Sequence, residues 1–161
     1  MPLPDVDPAE FRQLCGHFAT GVVVITALDA DTPAGMTANS FASVSLAPPL
    51  MSVNVDHAAE MHAILTRASR FAINILESGQ EAISRRFAGN LSGRFDGVGY
   101  RRDENGFILL DGVLAAITCE SEASFEAGDH TIFVGRIVGG QVGKGHPLMY
   151  YRGGYVTAGL P

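Results

Sequence analysis

The chain has 161 residues, 17 of them acidic and 11 basic, for a formal net charge of −6 with histidine neutral. Hydrophobic residues make up 47% and charged ones 17%, which excludes a disordered or fibrous chain. The acidic balance argues against electrostatic binding to nucleic acid or anionic membranes, and two cysteines are too few for a disulfide framework or a cysteine-built zinc site.

The opening Met-Pro-Leu-Pro-Asp lacks the basic region and apolar run of an export signal, and no early apolar stretch is long enough to span a bilayer. With Cys15 and Cys119 unpaired, the expectation is a cytoplasmic protein. Asp7, Pro8 and Glu10 form a capping box with proline at the first helical position. Phe11, Leu14, Cys15 and Phe18 then give one apolar stripe, so a helix is predicted that ends by Gly21. Val22 to Leu28 is β-branched and reads as a buried strand; Asp31-Thr32-Pro33 reads as a turn before a second strand near Gly35.

After Pro48-Pro49, Leu50 to Asp56 alternates at period two, and Ala59 to Thr66 suits a short helix with Met61, Ile64 and Leu65 inward. Phe71 to Leu76 is another strand, and Ser78 with Glu81 reads as a capping box for a helix ending near Gly89. Asn90 to Gly106 has weak periodicity and reads as an irregular loop. Val113–Glu126 and His130–Val142 read as two long strands joined by Ala127-Gly128-Asp129, and a last pair flanks Arg152-Gly153-Gly154. Six or seven strands, often adjacent in sequence, with three short helices favour an antiparallel barrel over a doubly wound sheet. The length suits a single domain, 1–161, with residues 1–6 flexible.

Nucleotide motifs of the Rossmann and P-loop types are absent, since Gly143-Lys144-Gly145 lacks the following Ser or Thr. None of His17, His57, His62, His130 and His146 makes the His-x-x-x-His pair of a helical zinc site, so no metal site is expected. Three regions remain as candidates. Gly35 to Ser45 is rich in hydroxyls and an amide (Thr37, Asn39, Ser40, Ser43, Ser45), suited to a flat heterocycle or to a hydrophilic sheet edge. Arg85, Arg86, Arg94, Arg101 and Arg102 cluster with Asp96 as the only acid among them, suited to phosphate or to a solvated surface. Gly128-Asp129-His130 puts an imidazole at a hairpin, free to meet a ligand or merely to close the turn.

In this order the segments resemble the short-chain flavin reductase family. The similarity is carried by Phe18-Ala19-Thr20-Gly21-Val22-Val23, Gly35-Met36-Thr37-Ala38-Asn39-Ser40-Phe41, Ser43-Val44-Ser45-Leu46, Pro48-Pro49-Leu50 and Phe71-Ala72-Ile73-Asn74-Ile75-Leu76. Gln80, Ser84, Phe87-Ala88, Arg94-Phe95, Gly128-Asp129-His130 and Pro147 to Tyr155 continue it. The resemblance implies a mainly β fold, a split β-barrel of the FMN-binding type, normally a homodimer. It implies an NAD(P)H:flavin oxidoreductase using FMN or FAD with NADH or NADPH, and a separate flavin-dependent oxygenase as partner. It places Thr37, Ala38, Asn39 and Ser40 along the isoalloxazine, with Ser43 and Ser45 nearby. Asn54, Asp56 and His57 would lie toward the ribityl and phosphate, with Phe87, Arg94 and Phe95 over the phosphate or adenine side. His130, as the catalytic position, and Tyr151 would lie near the nicotinamide; the family position at Asn39 is often serine. Two other readings share the barrel: an oxidase of the pyridoxamine-phosphate type, and a non-catalytic flavin- or haem-binding module.

Overall fold

The computed structural model describes residues 1–90 and 92–157. In chain order these are α1 (Pro8–Gly16), β1 (Thr20–Gly21), β2 (Val23–Asp29), β3 (Thr32–Ala38), β4 (Ala42–Leu46), β5 (Pro49–Asp56), α2 (Glu60–Arg67) and β6 (Arg70–Ile75). They continue as α3 (Glu81–Ala88), β7 (Tyr100–Arg102), β8 (Ile108–Leu110), β9 (Ala115–Ala127), β10 (His130–Val142), β11 (Leu148–Tyr151) and β12 (Gly154–Thr157). No helix among the described residues is long and apolar enough to cross a membrane.

Seven strands form an antiparallel sheet in the order β3-β2-β6-β9-β10-β5-β4. Its two edges, β3 and β4, are consecutive in the chain and joined by only Asn39-Ser40-Phe41. At roughly 3.3–3.6 Å per residue, so short a link obliges the sheet to curl until its edges nearly meet. They do not pair, so the barrel stays split. Ser40 sits in the split, its Oγ accepting from the Asn54 backbone N–H and donating to the Asn54 carbonyl, both at 3.0 Å. One hydroxyl there takes the place of a ladder rung.

The unbroken apolar run of β2 follows from two-sided burial. Val23, Ile25 and Ala27 face a core with Met51, Val53, Val55, Phe71, Ile73 and Phe133. Val22 and Val24 face a second core with Leu76, Phe87, Phe107, Leu109, Leu110 and Leu148. α2 closes the first core with Met61, Ile64 and Leu65, the three residues its periodicity selects. α1 forms on the predicted cap, with Asp7 Oδ1 accepting from the Ala9 and Glu10 amides at 2.8 and 2.9 Å. It buries no residue, so its stripe does not serve this chain's core.

Three local expectations are corrected. The tight turn is Ala30-Asp31, with Ala30 at φ 54, and Thr32-Pro33 already belong to β3. Ser78 does not cap α3: its hydroxyl donates to the Glu77 carboxylate at 2.5 Å, Glu77 also accepts from the Gly79 amide, and the N-cap Gln80 makes no capping bond. These bonds hold the Glu77 carboxyl below the usual carboxylate range. The loop after α3 contains β7, paired with β8. β8 is fastened by buried polar groups far off in sequence: the Leu110 amide donates to Asn74 at 2.8 Å, and Thr26 Oγ1 donates to the Ile108 carbonyl at 2.6 Å.

Candidate functional site

The split opens into a cleft of about 930 Å³. Its floor is Asn39, Ser40 and Phe41 of the β3–β4 link together with Asn54 of β5. One wall is α1 and the segment after it, with Phe11, Arg12, Cys15, Phe18 and Thr20; the other comes from Tyr150 and Arg152 at the β11–β12 turn. β1 pairs with β11, Thr20 opposite Tyr150, and this small sheet carries both walls. Thr20 Oγ1 is buried without a hydrogen-bond partner among the described residues. The lining mixes aromatic faces with a few convergent polar groups, the character of a site for a flat, polar-edged molecule.

The expected site residues fall into three neighbourhoods. Asn39, Ser40 and Asn54 come together in the cleft, and Ala38 lies half-buried at the end of β3 beside them. Thr37 turns the other way and donates its hydroxyl to the Ser84 carbonyl of α3 at 2.6 Å, so that group is spent on packing. Ser43 and Ser45 lie on β4, where a bulge separates them, outside the cleft lining.

Behind β3, Arg94 Nη1 donates to the Gly35 carbonyl at 2.8 Å while its Nε–H is buried and unpartnered among the described residues. Arg94 lines two smaller depressions, of about 380 and 510 Å³, on either side of the start of α2. Phe95 stands half-buried between Phe87 and Tyr100 in edge-to-face contacts, with ring centroids 4.9 and 5.0 Å away. Phe87 is fully buried, its ring lies 2.9 Å from an ideal Cβ at Gly35, and it borders the 510 Å³ depression that Arg94 also lines. Of the arginines in this stretch, Arg86 is absorbed by the loop, bonding the Gly93, Arg94 and Asp96 carbonyls, and Arg85 pairs with Glu81 over the Tyr155 ring.

The third neighbourhood is the tip of the long hairpin. His130 is half-buried opposite Asp56, and its Nδ1 lies 2.6 Å from Asp129 Oδ1. The bond to His130, followed by its charge, holds the Asp129 carboxyl below the ordinary range, so the contribution of that pair is present above the unfolded value and lost as pH falls through the folded one. Asp56 Oδ1 accepts from the Ala58 amide at 2.8 Å and starts the turn into α2. His57 lies outside the cleft lining, in contact with Glu126 and Thr131. Tyr151 lies outside the cleft lining, edge to face with His17, and its neighbours Tyr150 and Arg152 line the cleft. Sequence reading missed those two, and it left open what the α1 stripe covers, because amphipathic spacing does not say what a face meets.

A mainly antiparallel barrel, split along one seam and carrying a wide cleft there, is the frame of a flavin-type split-barrel protein. The chain belongs to the family described as "Flavin reductase like domain", whose model matches residues 15–159. It is 42% identical over 155 residues to a Rhizobium meliloti (strain 1021) protein named "Probable flavin reductase", covering 96% of this chain and 50% of that one. This chain thus spans half the length of that relative. It is 37% identical to the reductase component of a Rhodococcus opacus 4-nitrophenol 4-monooxygenase/4-nitrocatechol 2-monooxygenase, over 94% of this chain and 81% of that one. The NADH:FAD oxidoreductase of Streptomyces globisporus C-1027, solved with NAD and FAD fragments, superposes with a TM-score of 0.90 at 37% identity, covering 97% of both chains.

Proposed function

We propose that this protein is an NAD(P)H-dependent flavin reductase that takes up FMN or FAD and supplies reduced flavin to a separate monooxygenase component. The observation that carries the reading is the cleft at the barrel seam, with Asn39, Ser40 and Asn54 on its floor, in a member of the flavin reductase family. The names of the relatives favour it over an oxidase of the pyridoxamine-phosphate type.

A flavin held in the cleft would supply the redox chemistry, hydride exchange with a reduced nicotinamide. The chain's own residues bind and orient. Asn39, Asn54 and the Thr20 hydroxyl offer hydrogen bonds to the edge of a flat ring, and Phe11, Phe18 and Tyr150 offer apolar surface. The buried Nε–H of Arg94 has no acceptor among the described residues and suits a phosphate oxygen, with Phe95 beside it. His130 is a positioning group for the nicotinamide: direct hydride transfer needs no general base, and an imidazole held by Asp129 can orient a ligand at the hairpin tip. A homodimer would cover the exposed apolar surface of Phe11, Leu14, Val44 and Leu46.

The test is a steady-state assay crossing NADH and NADPH with FMN, FAD and riboflavin. Flavin-dependent oxidation of one nicotinamide is expected; no oxidation with any pair overturns the reading. His130→Ala is expected to keep flavin affinity and to lower kcat/KM for the nicotinamide by about ten- to a hundredfold, read by stopped-flow reduction. An unchanged reduction rate returns His130 to a hairpin-closing role.

A further inference from the structure

At the mouth of the barrel, on the sheet face opposite His130, four side chains from four segments converge. Thr131 follows His130 on β10 and therefore points to the other face. Its cross-strand partner is Glu126 of β9, whose carboxylate accepts from the Thr131 hydroxyl at 2.9 Å. His57, from the β5–α2 junction, brings Nε2 to 2.8 Å from Glu126 Oε2 and 3.2 Å from Thr131 Oγ1. His62, from the first turn of α2, brings its own Nε2 to 2.8 Å from the same Thr131 oxygen. The two imidazoles meet edge to face at 5.0 Å, and His62 rests on Phe133 of the core.

We propose that His57, His62 and Glu126 form a divalent transition-metal site suited to Zn²⁺. The three ligand atoms lie within 4.8 Å of one another. Tetrahedral zinc with bonds of about 2.0–2.2 Å sets its ligand atoms roughly 3.4 Å apart, so small side-chain rotations bring these three into place. Two imidazoles and one carboxylate are a zinc donor set that leaves a fourth position open. Hydrogen bonding alone serves the cluster badly. The Thr131 proton goes to Glu126, so His57 must offer its single Nε2 proton both to Thr131 and to Glu126. A cation at the centre is attracted by all three lone pairs at once.

The site is also preorganised. Thr131 is 2% exposed and orients the Glu126 carboxylate, acting behind the ligands. The His57 amide is fixed to the Asp129 carbonyl at 3.0 Å, and the His62 amide to the Ala59 carbonyl at 3.0 Å. A bound ion would tie the long hairpin to α2 and brace the tip that carries His130. Spacing along the chain could not reveal the set, because the histidines straddle a loop and a helix start and the carboxylate comes from another strand.

The test uses untagged protein freed of metal by chelation and dialysis, then titrated with ZnSO₄ by calorimetry and with CoCl₂ by visible absorption. Saturation at one ion per chain is expected, with the d–d bands of low-coordinate Co²⁺ in the unsubstituted protein. Affinity should fall at least about tenfold in His62→Gln and in Glu126→Gln, and should hold in His130→Ala. Glu126 is largely exposed, so its substitution leaves the fold intact. No saturable binding overturns the proposal. Loss of binding in His130→Ala alone also overturns it, placing the ion at Asp56, Asp129 and His130 on the other face. The readout is metal binding, so it stands or falls independently of flavin turnover.

Discussion

α1 and α2 are nearly equal in length, nine and eight residues, and both carry one apolar stripe. α2 sinks Met61, Ile64 and Leu65 to 3% exposure or less in the barrel core. α1 leaves Leu14 61% exposed and Phe11 57%, with Phe18 beyond it at 79%. The same periodicity therefore serves two ends. One helix is a lid on this chain's own core; the other is a wall of the cleft whose apolar side faces what the chain itself does not provide. Amphipathic spacing predicts a helix and a face, and the surface that meets the face is decided by the rest of the fold.

The largest separation between the two settings is expected in thiol chemistry. Cys15, on α1, is exposed, whereas Cys119 is fully buried in the core that α2 closes, and burial pushes its thiol up to about 12. At pH 8 only about one Cys119 in 10⁴ is ionised, before any steric barrier is counted. Native protein treated with a chromogenic disulfide should release one equivalent quickly and a second more than about a thousandfold slower. Two fast equivalents would put both cysteines in the same environment and break the contrast.

The next largest lies in stability. Leu65→Ala should cost about 2–5 kcal/mol in urea unfolding, the range for a buried leucine. Leu14→Ala in dilute protein should stay within about 0.5 kcal/mol. Equal losses would mean that the α1 stripe is covered under those conditions, and repeating the melt across protein concentrations would then show whether a second copy covers it.

The smallest concerns the cap. Asp7→Ala removes bonds to two amides and should weaken α1 by about 1 kcal/mol. Because α1 adds no residue to the core, the effect should appear as faster amide exchange within α1, with the global unfolding midpoint nearly unchanged. A large shift of the midpoint would make α1 part of the cooperative unit.

Where one element decides its own fate, the residues were legible. The β-branched run of β2, the Gly128 turn between β9 and β10 and the inward triplet of α2 all appear as their local patterns require. Misreadings arose where a distant group decides. β8 is held by Asn74 and Thr26, and Ser78 is taken from its cap by Glu77. In the candidate site, the family resemblance pointed to Asn39, Ser40 and Asn54, which share the cleft. It also pointed to Phe87, whose burial against β3 depends on Gly35, some fifty residues away, lacking a side chain. The phase of the β11–β12 turn, which turns Tyr150 and Arg152 inward and Tyr151 aside, is set by pairing and not by composition.

Ser40 makes the barrel a vessel with a clasp. Along the junctions of the seven-stranded sheet the strands are zipped by repeated backbone bonds, whereas the β3–β4 link is fastened to β5 through one hydroxyl gripping Asn54, in register beyond the Ala42–Ser52 pair. Rupture of two hydrogen bonds, without the loss of any strand, is enough to let the β3–β4 link lift from β5. The floor of the cleft can thus shift while the strands around it stay paired, a local opening that leaves the two cores closed.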